Sequence, residues 1–197
     1  LIIARTNQVL ALIDGVNFDA TAKGNVKGQA LFLRAYAYFE LARYFGSVPL
    51  HLTPVAVRAE AALPLSPEAD IYAQIEKDLV EAIPLLLDKA TQQPGRVTSG
   101  AARTLLANVY INQKKWTEAE QILAPVISGG QYMLMPSYDM AFSENISNKN
   151  NAESVFEVQF IEGAAGLQGN FMYQFMPRPI SAAELQPIMG TNNAQPI

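Results

Sequence analysis

The segment from Gly28 to Leu50 constrains the fold of this chain most, because it predicts a long helix that is apolar on two sides. Within residues 28–45, apolar side chains follow two adjacent stripes at spacings of three and four: Ala30, Leu33, Ala37, Leu41 and Tyr44 on one, and Phe32, Ala35, Phe39 and Ala42 on the other. A helix with two apolar stripes is expected to be buried between other helices. Gly46 is expected to end it, and Pro49 prevents it from resuming.

The composition allows a sizeable core and argues against several functions. Of the 197 residues, 50% are hydrophobic, the net charge is −4 and there is no cysteine. Since Lys and Arg are nowhere concentrated, nucleic acid is not an expected partner. The lack of cysteine excludes a disulfide, a thiolate metal site and a cysteine nucleophile from this segment. No apolar run reaches the roughly eighteen residues that a membrane span requires.

Start and stop signals predict further helices on both sides of this segment. The expected elements are a short helix over residues 1–13, a polar connector over 17–24, a helix from Pro67 to about Leu87 with Ser66 as its N-cap, a helix that Thr98 caps, and a helix that a Thr117–Glu120 capping box begins and Gly129 ends. Pro84 is expected to kink or end the helix that begins at Pro67.

The remaining parts of the chain are expected to be loops and short strands. Residues 47–67 form a Pro-rich insertion, interpreted as a long ordered loop or a strand pair, and loops of this length tend to carry function. Alternation of apolar and polar side chains predicts half-buried strands over residues 154–161 and 171–175. We therefore expect a helical scaffold over residues 1–135, which contains the insertion, and a loop-rich part of the same domain over residues 136–197.

An internal repeat relates the central helix to the helix after Thr98. At a constant offset, close to two tetratricopeptide periods of about 34 residues, the aligned pairs are Gly28 with Gly100, Ala30 with Ala102, Ala35 with Ala107, and Tyr38 with Tyr110. Each aligned helix is followed by an antiparallel partner, and such hairpins stack to bury their apolar faces. The predicted fold is mainly α, with tetratricopeptide-like repeats, long irregular loops and a few short strands. Trp116 is expected in the core.

No residue pattern predicts catalysis, a metal site or a cofactor. His51 is the only histidine, so a histidine metal cluster or a serine–histidine triad elsewhere is excluded within this segment, and a loop histidine near the surface is expected. Residues 144–153 offer Asn and Glu oxygens to a calcium ion, but their spacing fits no known loop and a solvated loop is favoured. No carboxylate pair has the placement that a glycosidase needs, so a hydrolase is the weakest function considered.

Aromatic residues outside the predicted helices are the candidates for ligand binding. Sugar rings stack their C–H faces on aromatic planes, while amides and carboxylates bind the hydroxyls. The candidate ligand-binding residues are Tyr132, Tyr138, Phe171, Tyr173 and Asn170. The alternative interpretation is that these aromatics simply pack beneath long loops.

Three stretches of the chain resemble the SusD/RagB family of Bacteroidota outer-membrane lipoproteins. They are FLRAYAYFELARYFGSVPL at residues 32–50, GRVTSGAARTLLANVYINQKKWTEAEQIL at 95–123, and NAESVFEVQF at 151–160. Their order and spacing match those of the family, and together they span most of the chain.

The resemblance implies a SusD-like α–α superhelix on the cell surface that captures an oligosaccharide or other nutrient without catalysis. It also implies a partner, a TonB-dependent outer-membrane transporter of the SusC type, to which the nutrient is delivered. Both ends of the chain are interpreted as cuts in a longer protein, so the lipid anchor is expected outside this chain. The matched motifs belong to the scaffold and assign no ligand-binding residue. The alternative function is a tetratricopeptide-type protein-interaction scaffold, although two hairpins make only a short groove.

Overall fold

The computed structural model describes residues 1–142 and 149–160. The α-helices there are α1 (Ile2–Leu12), α2 (Ala20–Phe45), α3 (Glu68–Ala82), α4 (Ser99–Asn112), α5 (Trp116–Ser128) and α6 (Tyr138–Ala141), with 3₁₀ turns at Ile13–Gly15, Arg58–Ala61 and Ile83–Leu85. The predicted mainly helical fold class is confirmed. The chain divides into two compact units, Leu1–Glu157 and Val158–Ile197, and all of these helices lie in the first. The expected division at residue 135 stays a prediction.

Helix α2 is the central element of the first unit, and it starts earlier than the sequence predicted. Asp19 is its N-cap, since its carboxylate accepts a hydrogen bond from the Ala22 amide at 2.8 Å. The connector expected over residues 17–24 is therefore wrong beyond residue 19, because that cap was overlooked. The helix ends at Phe45, and the Gly46 cap has a φ of 66°, in the left-handed region that favours glycine.

One broad face of α2 is buried, not its whole circumference. The second predicted stripe, Phe32, Ala35, Phe39 and Ala42, is buried throughout, together with Leu31 and Tyr38. The first stripe is only partly covered, since Leu33 and Tyr44 are exposed. Helices α1 and α3 pack against α2, and α3 in turn packs against α4. The core therefore lies where α2, α3 and α4 meet.

Helix α3 is the predicted partner of α2, and it begins one residue after the expected start at Pro67. Its buried residues Ile71, Ile75, Leu79 and Ala82 form one stripe at helical spacing. The cap expected at Ser66 is wrong, because Pro67 is the N-cap and makes no side-chain cap. The helix ends at Ala82, short of the expected end near Leu87, and Pro84 lies in the 3₁₀ turn that follows, where a proline interrupts the backbone hydrogen bonds of an α-helix.

The predicted repeat appears as two helical hairpins, α2–α3 and α4–α5. In both, a glycine of the first helix leaves a notch that a side chain from beyond the second helix fills. A Cβ at Gly28 would lie 2.9 Å from Leu86 Cγ, and a Cβ at Gly100 would meet the ring of Tyr132. The equivalent residues thus have equivalent packing roles.

The second hairpin differs from the prediction at its outer helix. Trp116 is 62% exposed, so the expectation that it belongs to the core is wrong. It is the first residue of α5, and the capping box expected at Thr117 is wrong as well, because Lys115 is the N-cap and makes no side-chain cap. Helix α5 packs mainly against α4 and buries only Ala119.

The strand expected over residues 154–161 is wrong for the described part, residues 154–160, which has no strand pairing. Alternation favours a strand only where a neighbouring strand accepts the backbone hydrogen bonds, and here the Ser154 carbonyl bonds to Lys89 instead. The strand expected at 171–175 lies outside the described residues. The Pro-rich insertion is an ordered loop, as predicted, and one antiparallel bridge joins Val48 to Ser66.

Candidate functional site

A buried ion pair fixes the Pro-rich insertion to the scaffold. Arg34 of α2 and Asp78 of α3 form two hydrogen bonds of 2.7 Å, from Nε to Oδ2 and from Nη2 to Oδ1. The remaining nitrogen, Nη1, donates to Asn7 Oδ1 at 3.0 Å and to the Leu52 carbonyl at 3.3 Å. A bidentate pair of this kind has a fixed geometry. It therefore ties α1, α2, α3 and the insertion together at one point.

Neutral hydrogen bonds extend this network along the insertion. Tyr38 Oη donates to the His51 carbonyl at 2.9 Å and accepts from the His51 amide at 2.7 Å. Asn7 Nδ2 donates to the carbonyls of His51 and Thr53 at 2.9 and 3.3 Å. Burial raises the pKa of Tyr38, so its hydroxyl keeps its proton well above neutral pH. His51 is half-buried, and its backbone is what this network uses.

A cavity of about 370 Å³ adjoins the network. Most of its lining is apolar, for example Ile3, Leu41 and Val48, and its polar side chains include Asn7 and Tyr38. Because those two are already hydrogen-bonded within the chain, the cavity offers a ligand mainly apolar contacts.

Lys89, in the connection between α3 and α4, anchors a second region, residues 151–154. The ammonium of Lys89 donates to the carbonyls of Asn151, Ala152 and Ser154, at 2.7, 3.3 and 2.6 Å. The same nitrogen lies 4.7 Å from the centre of the Tyr132 ring. Burial lowers the pKa of Lys89, and the charge of Glu157 opposes that shift.

Segment 149–157 is also bonded to the segment that carries α6. The Met133 amide donates to the Ala152 carbonyl at 3.1 Å, and Asn151 Nδ2 donates to the Ala141 carbonyl at 3.2 Å. We call residues 132–142 together with 149–157 the loop surface. A smaller cavity of about 150 Å³, with Arg96 and Phe156 in its lining, lies beside it.

The structure places two of the predicted ligand-binding residues on this loop surface, in different settings. Tyr132 is half-buried: its hydroxyl is 2.9 Å from Thr98 Oγ1, and its ring fills the notch at Gly100. Tyr138 is 76% exposed and lies on α6. The other three predicted residues, Phe171, Tyr173 and Asn170, lie outside the described residues.

Sequence analysis overlooked the aromatic neighbour of Tyr138. Phe142 is 73% exposed, and its ring centre lies 4.7 Å from that of Tyr138, with the planes inclined by 39°. The spacing of four residues, one helical turn, was the available signal. Two exposed rings in contact present a continuous apolar face on which a sugar ring can stack.

The anchoring residues were also overlooked. Asp78 was not identified from the sequence, although it is buried. The available signal was its position seven residues after Ile71, on the apolar stripe of α3. No local pattern pointed to Lys89, because its partners are more than sixty residues away in the sequence.

The described residues contain no grouped metal ligands and no membrane-spanning helix. Within residues 1–142 and 149–160, no three His, Cys, Asp or Glu side chains come together as a metal site would require. Asn151 and Glu153, considered for calcium, instead bond to backbone amides, those of Ser154 and Met135 respectively. In the same ranges, no helix combines the length and apolarity needed to cross a bilayer.

The fold and the loop surface define a class of protein, a tetratricopeptide-like helical scaffold that presents aromatic side chains from its loops. Comparison with known proteins then gives the family. A family model named SusD-like and described as starch-binding, associating with the outer membrane, matches residues 1–111. The chain belongs to this SusD-like family.

Curated relatives and solved structures agree with this assignment. The chain is 30% identical over 151 residues to a SusD-like protein of Bacteroides ovatus, covering 71% of this chain and 27% of the relative. It is 29% identical over 150 residues to SusD-like protein P2 of Formosa agariphila, covering 73% of this chain and 29% of the relative. The chain thus spans less than a third of either curated relative.

Two solved structures show the same fold at similar identity. A laminarin-binding SusD-like protein superposes with a TM-score of 0.74 at 32% identity, over 80% of this chain and 35% of that one. A SusD superfamily protein from Bacteroides vulgatus gives a TM-score of 0.71 at 34% identity, over 79% of this chain and 33% of that one.

Proposed function

We propose that this chain is part of a non-catalytic outer-membrane protein that captures an oligosaccharide on its loop surface and delivers it to a TonB-dependent transporter of the SusC type. The exposed pair of Tyr138 and Phe142 carries the proposal for capture. Family membership supports carbohydrate as the ligand class, as does the similarity to a laminarin-binding protein.

The proposed ligand-binding residues have distinct roles. Tyr138, with Phe142, supplies the stacking face. Tyr132 supports the loop surface from below, since its hydroxyl and one ring face already have partners. Phe171, Tyr173 and Asn170 are proposed as further contacts, two by stacking and one by hydrogen bonds from its amide.

Calorimetric titration of the purified protein with oligosaccharides, laminarin fragments first, tests the capture step. Tyr138→Ala and Phe142→Ala are each expected to weaken binding about tenfold or more, because one stacked ring contributes on the order of 1–3 kcal/mol, the range measured for bases stacked on aromatic side chains. Tyr44→Ala is the matched control: Tyr44 is 75% exposed, and its ring lies beside that of Phe45 on α2 rather than in the loop surface. Equal losses in all three variants, or none, would refute the assignment of this surface.

Affinity purification from outer membranes tests the proposed partner. Since the loops carry the ligand, the helical hairpins are proposed to face the transporter. Recovery of a large barrel transporter is the expected result. Recovery of soluble peptides or chaperones alone would favour the alternative, a tetratricopeptide-type interaction scaffold.

A further inference from the structure

The ammonium of Lys89 occupies a position that a metal ion has in many loop proteins. All three of its N–H donors have an acceptor, and the three acceptors are backbone carbonyls of one short segment, residues 151–154. Backbone carbonyls that converge on one point are a familiar way of binding a hard cation. Here the cation is the end of a side chain, attached to the scaffold between α3 and α4.

The positive charge is what allows these carbonyls to converge. Their oxygens carry partial negative charge and repel each other. An apolar side chain at residue 89 would remove the charged donor from all three, leaving only the backbone amides of Ser154 and Met133 on the Asn151 and Ala152 carbonyls. The Tyr132 ring beneath the ammonium adds a second favourable contact at 4.7 Å. Removing the charge therefore removes the principal polar contact between segment 149–157 and the helical scaffold.

Hydrogen bonds transmit this anchor to the exposed aromatic pair. Ala152, one of the three acceptors, receives the Met133 amide at 3.1 Å, and Asn151 donates to the carbonyl of Ala141 at 3.2 Å. Ala141 is the last residue of α6, the short helix that carries Tyr138. Lys89, segment 149–157 and α6 thus form one connected block.

We propose that Lys89 is the positioning residue of the loop surface: its ammonium acts as a built-in cation that fixes α6 and the Tyr138–Phe142 pair on the scaffold, and so sets the affinity for oligosaccharide without touching it. The part of this proposal that concerns affinity rests on the proposed function. The part that concerns position does not.

The absence of cysteine from the chain allows the charge to be removed and restored at one atom. Lys89→Cys, alkylated in the unfolded state with 2-bromoethylamine and refolded, regains an ammonium at nearly the original distance from the backbone. Alkylation with 1-bromopropane gives a side chain of the same size without charge. Lys77→Cys, treated in the same two ways, is the matched control, because Lys77 is an exposed lysine on α3.

Amide hydrogen exchange reports position, and the Met133 amide is the most direct probe because it donates to Ala152. In the propyl form of the Lys89 variant, this amide is expected to exchange about tenfold faster or more, the loss expected for a charged hydrogen-bond network. The Ala102 amide of α4 is expected to remain unchanged, and the aminoethyl form is expected to restore the original rate. An unchanged Met133 rate in the propyl form would overturn the positioning role.

Oligosaccharide titration of the same proteins reports affinity. The propyl form is expected to bind about tenfold more weakly or worse, with recovery in the aminoethyl form, while neither form of the Lys77 control changes. If exchange accelerates but affinity does not fall, while Tyr138→Ala abolishes binding, Lys89 does not set the affinity. If the unmodified protein binds no oligosaccharide, the proposed function fails and the claim about affinity with it, whereas the exchange rates still decide the claim about position.

Discussion

The two helical hairpins share one sequence pattern but are enclosed to very different degrees. Tyr38 and Tyr110 hold the same position in the repeat, yet Tyr38 is 1% exposed while Tyr110 is only partly buried. The difference comes from what joins the helices: the Pro-rich insertion folds over Tyr38 and bonds to its hydroxyl through His51, whereas a short turn joins α4 to α5. A repeat pattern therefore determines which residues face the partner helix, and the connecting segment determines how deeply they are buried.

The first hairpin depends most on its buried charges, and Asp78→Asn is the variant expected to have the largest effect. It leaves the Arg34 guanidinium buried without its counter-charge, which costs about 3–5 kcal/mol in the free energy of unfolding, measured by urea denaturation. Glu40→Gln is the control, since Glu40 accepts from Arg43 at 3.2 Å on the exposed side of α2, and its loss should cost under about 1 kcal/mol. Equal effects of the two variants would contradict the burial of the Arg34–Asp78 pair.

Tyr38→Phe tests how much the hydrogen bonds between the Tyr38 hydroxyl and His51 of the insertion contribute to stability. The variant leaves the His51 amide without its Tyr38 acceptor and removes one of the two donors to the His51 carbonyl, the other being Asn7. We therefore expect the free energy of unfolding, measured by urea denaturation at neutral pH, to fall by about 1–3 kcal/mol. Tyr110→Phe, the equivalent change in the second hairpin, should cost less, because that hydroxyl has no hydrogen-bond partner within residues 1–142 and 149–160.

The stability of the protein at alkaline pH is a second test of the buried Tyr38 hydroxyl. Burial raises the pKa of Tyr38 above its ordinary value of 10.0, so above that pH the unfolded state loses a proton that the folded state retains. The contribution of Tyr38 to stability is therefore present below pH 10 and is lost as the pH rises through the raised pKa. Tyr38→Phe should flatten this part of the stability curve, measured by urea denaturation at a series of pH values. An unaltered slope would show that the hydroxyl is not buried.

The two notch glycines allow a matched substitution in the two hairpins. At Gly28, a new Cβ lies 2.9 Å from Leu86 Cγ, close to the branch point of a buried side chain, so overpacking outweighs the gain in helix propensity and Gly28→Ala should cost about 1–2 kcal/mol. At Gly100, the new methyl group would lie even closer to the Tyr132 ring, which the bond to Thr98 and the contact with Lys89 hold in place. Gly100→Ala should therefore also cost about 1–3 kcal/mol. Thermal denaturation measures both, and a variant as stable as the original protein would show that its notch is not filled.

Local signals in the sequence predicted the parts of the fold that short-range interactions determine. The cap at Thr98, the stop at Gly46 and the break at Pro84 each act within about one helical turn, and all three appear where they were expected. The internal repeat likewise predicted the hairpins, because pairs of small and aromatic residues fix how two neighbouring helices meet.

Long-range partners explain what the sequence did not predict. Asp78 is buried because Arg34, 44 positions earlier, holds it there. Residues 154–160 are not a strand, and Lys89, 65 positions earlier, binds the Ser154 carbonyl. At the candidate site, Tyr138 was predicted from its residue type alone, whereas its partner Phe142 and the anchor at Lys89 became evident only from their contacts.

Trp116→Ala is expected to have the smallest effect, and it tests the open face of the second hairpin. A tryptophan in a helical core costs about 3–5 kcal/mol when truncated to alanine, but Trp116 is 62% exposed, so the loss should stay below about 1 kcal/mol. As the chain has one tryptophan, its fluorescence reports this site alone, and emission typical of a hydrated indole with ready quenching by acrylamide is expected. Blue-shifted, protected emission together with a loss of several kcal/mol would show that this face is covered in solution, and that the second hairpin is enclosed as fully as the first.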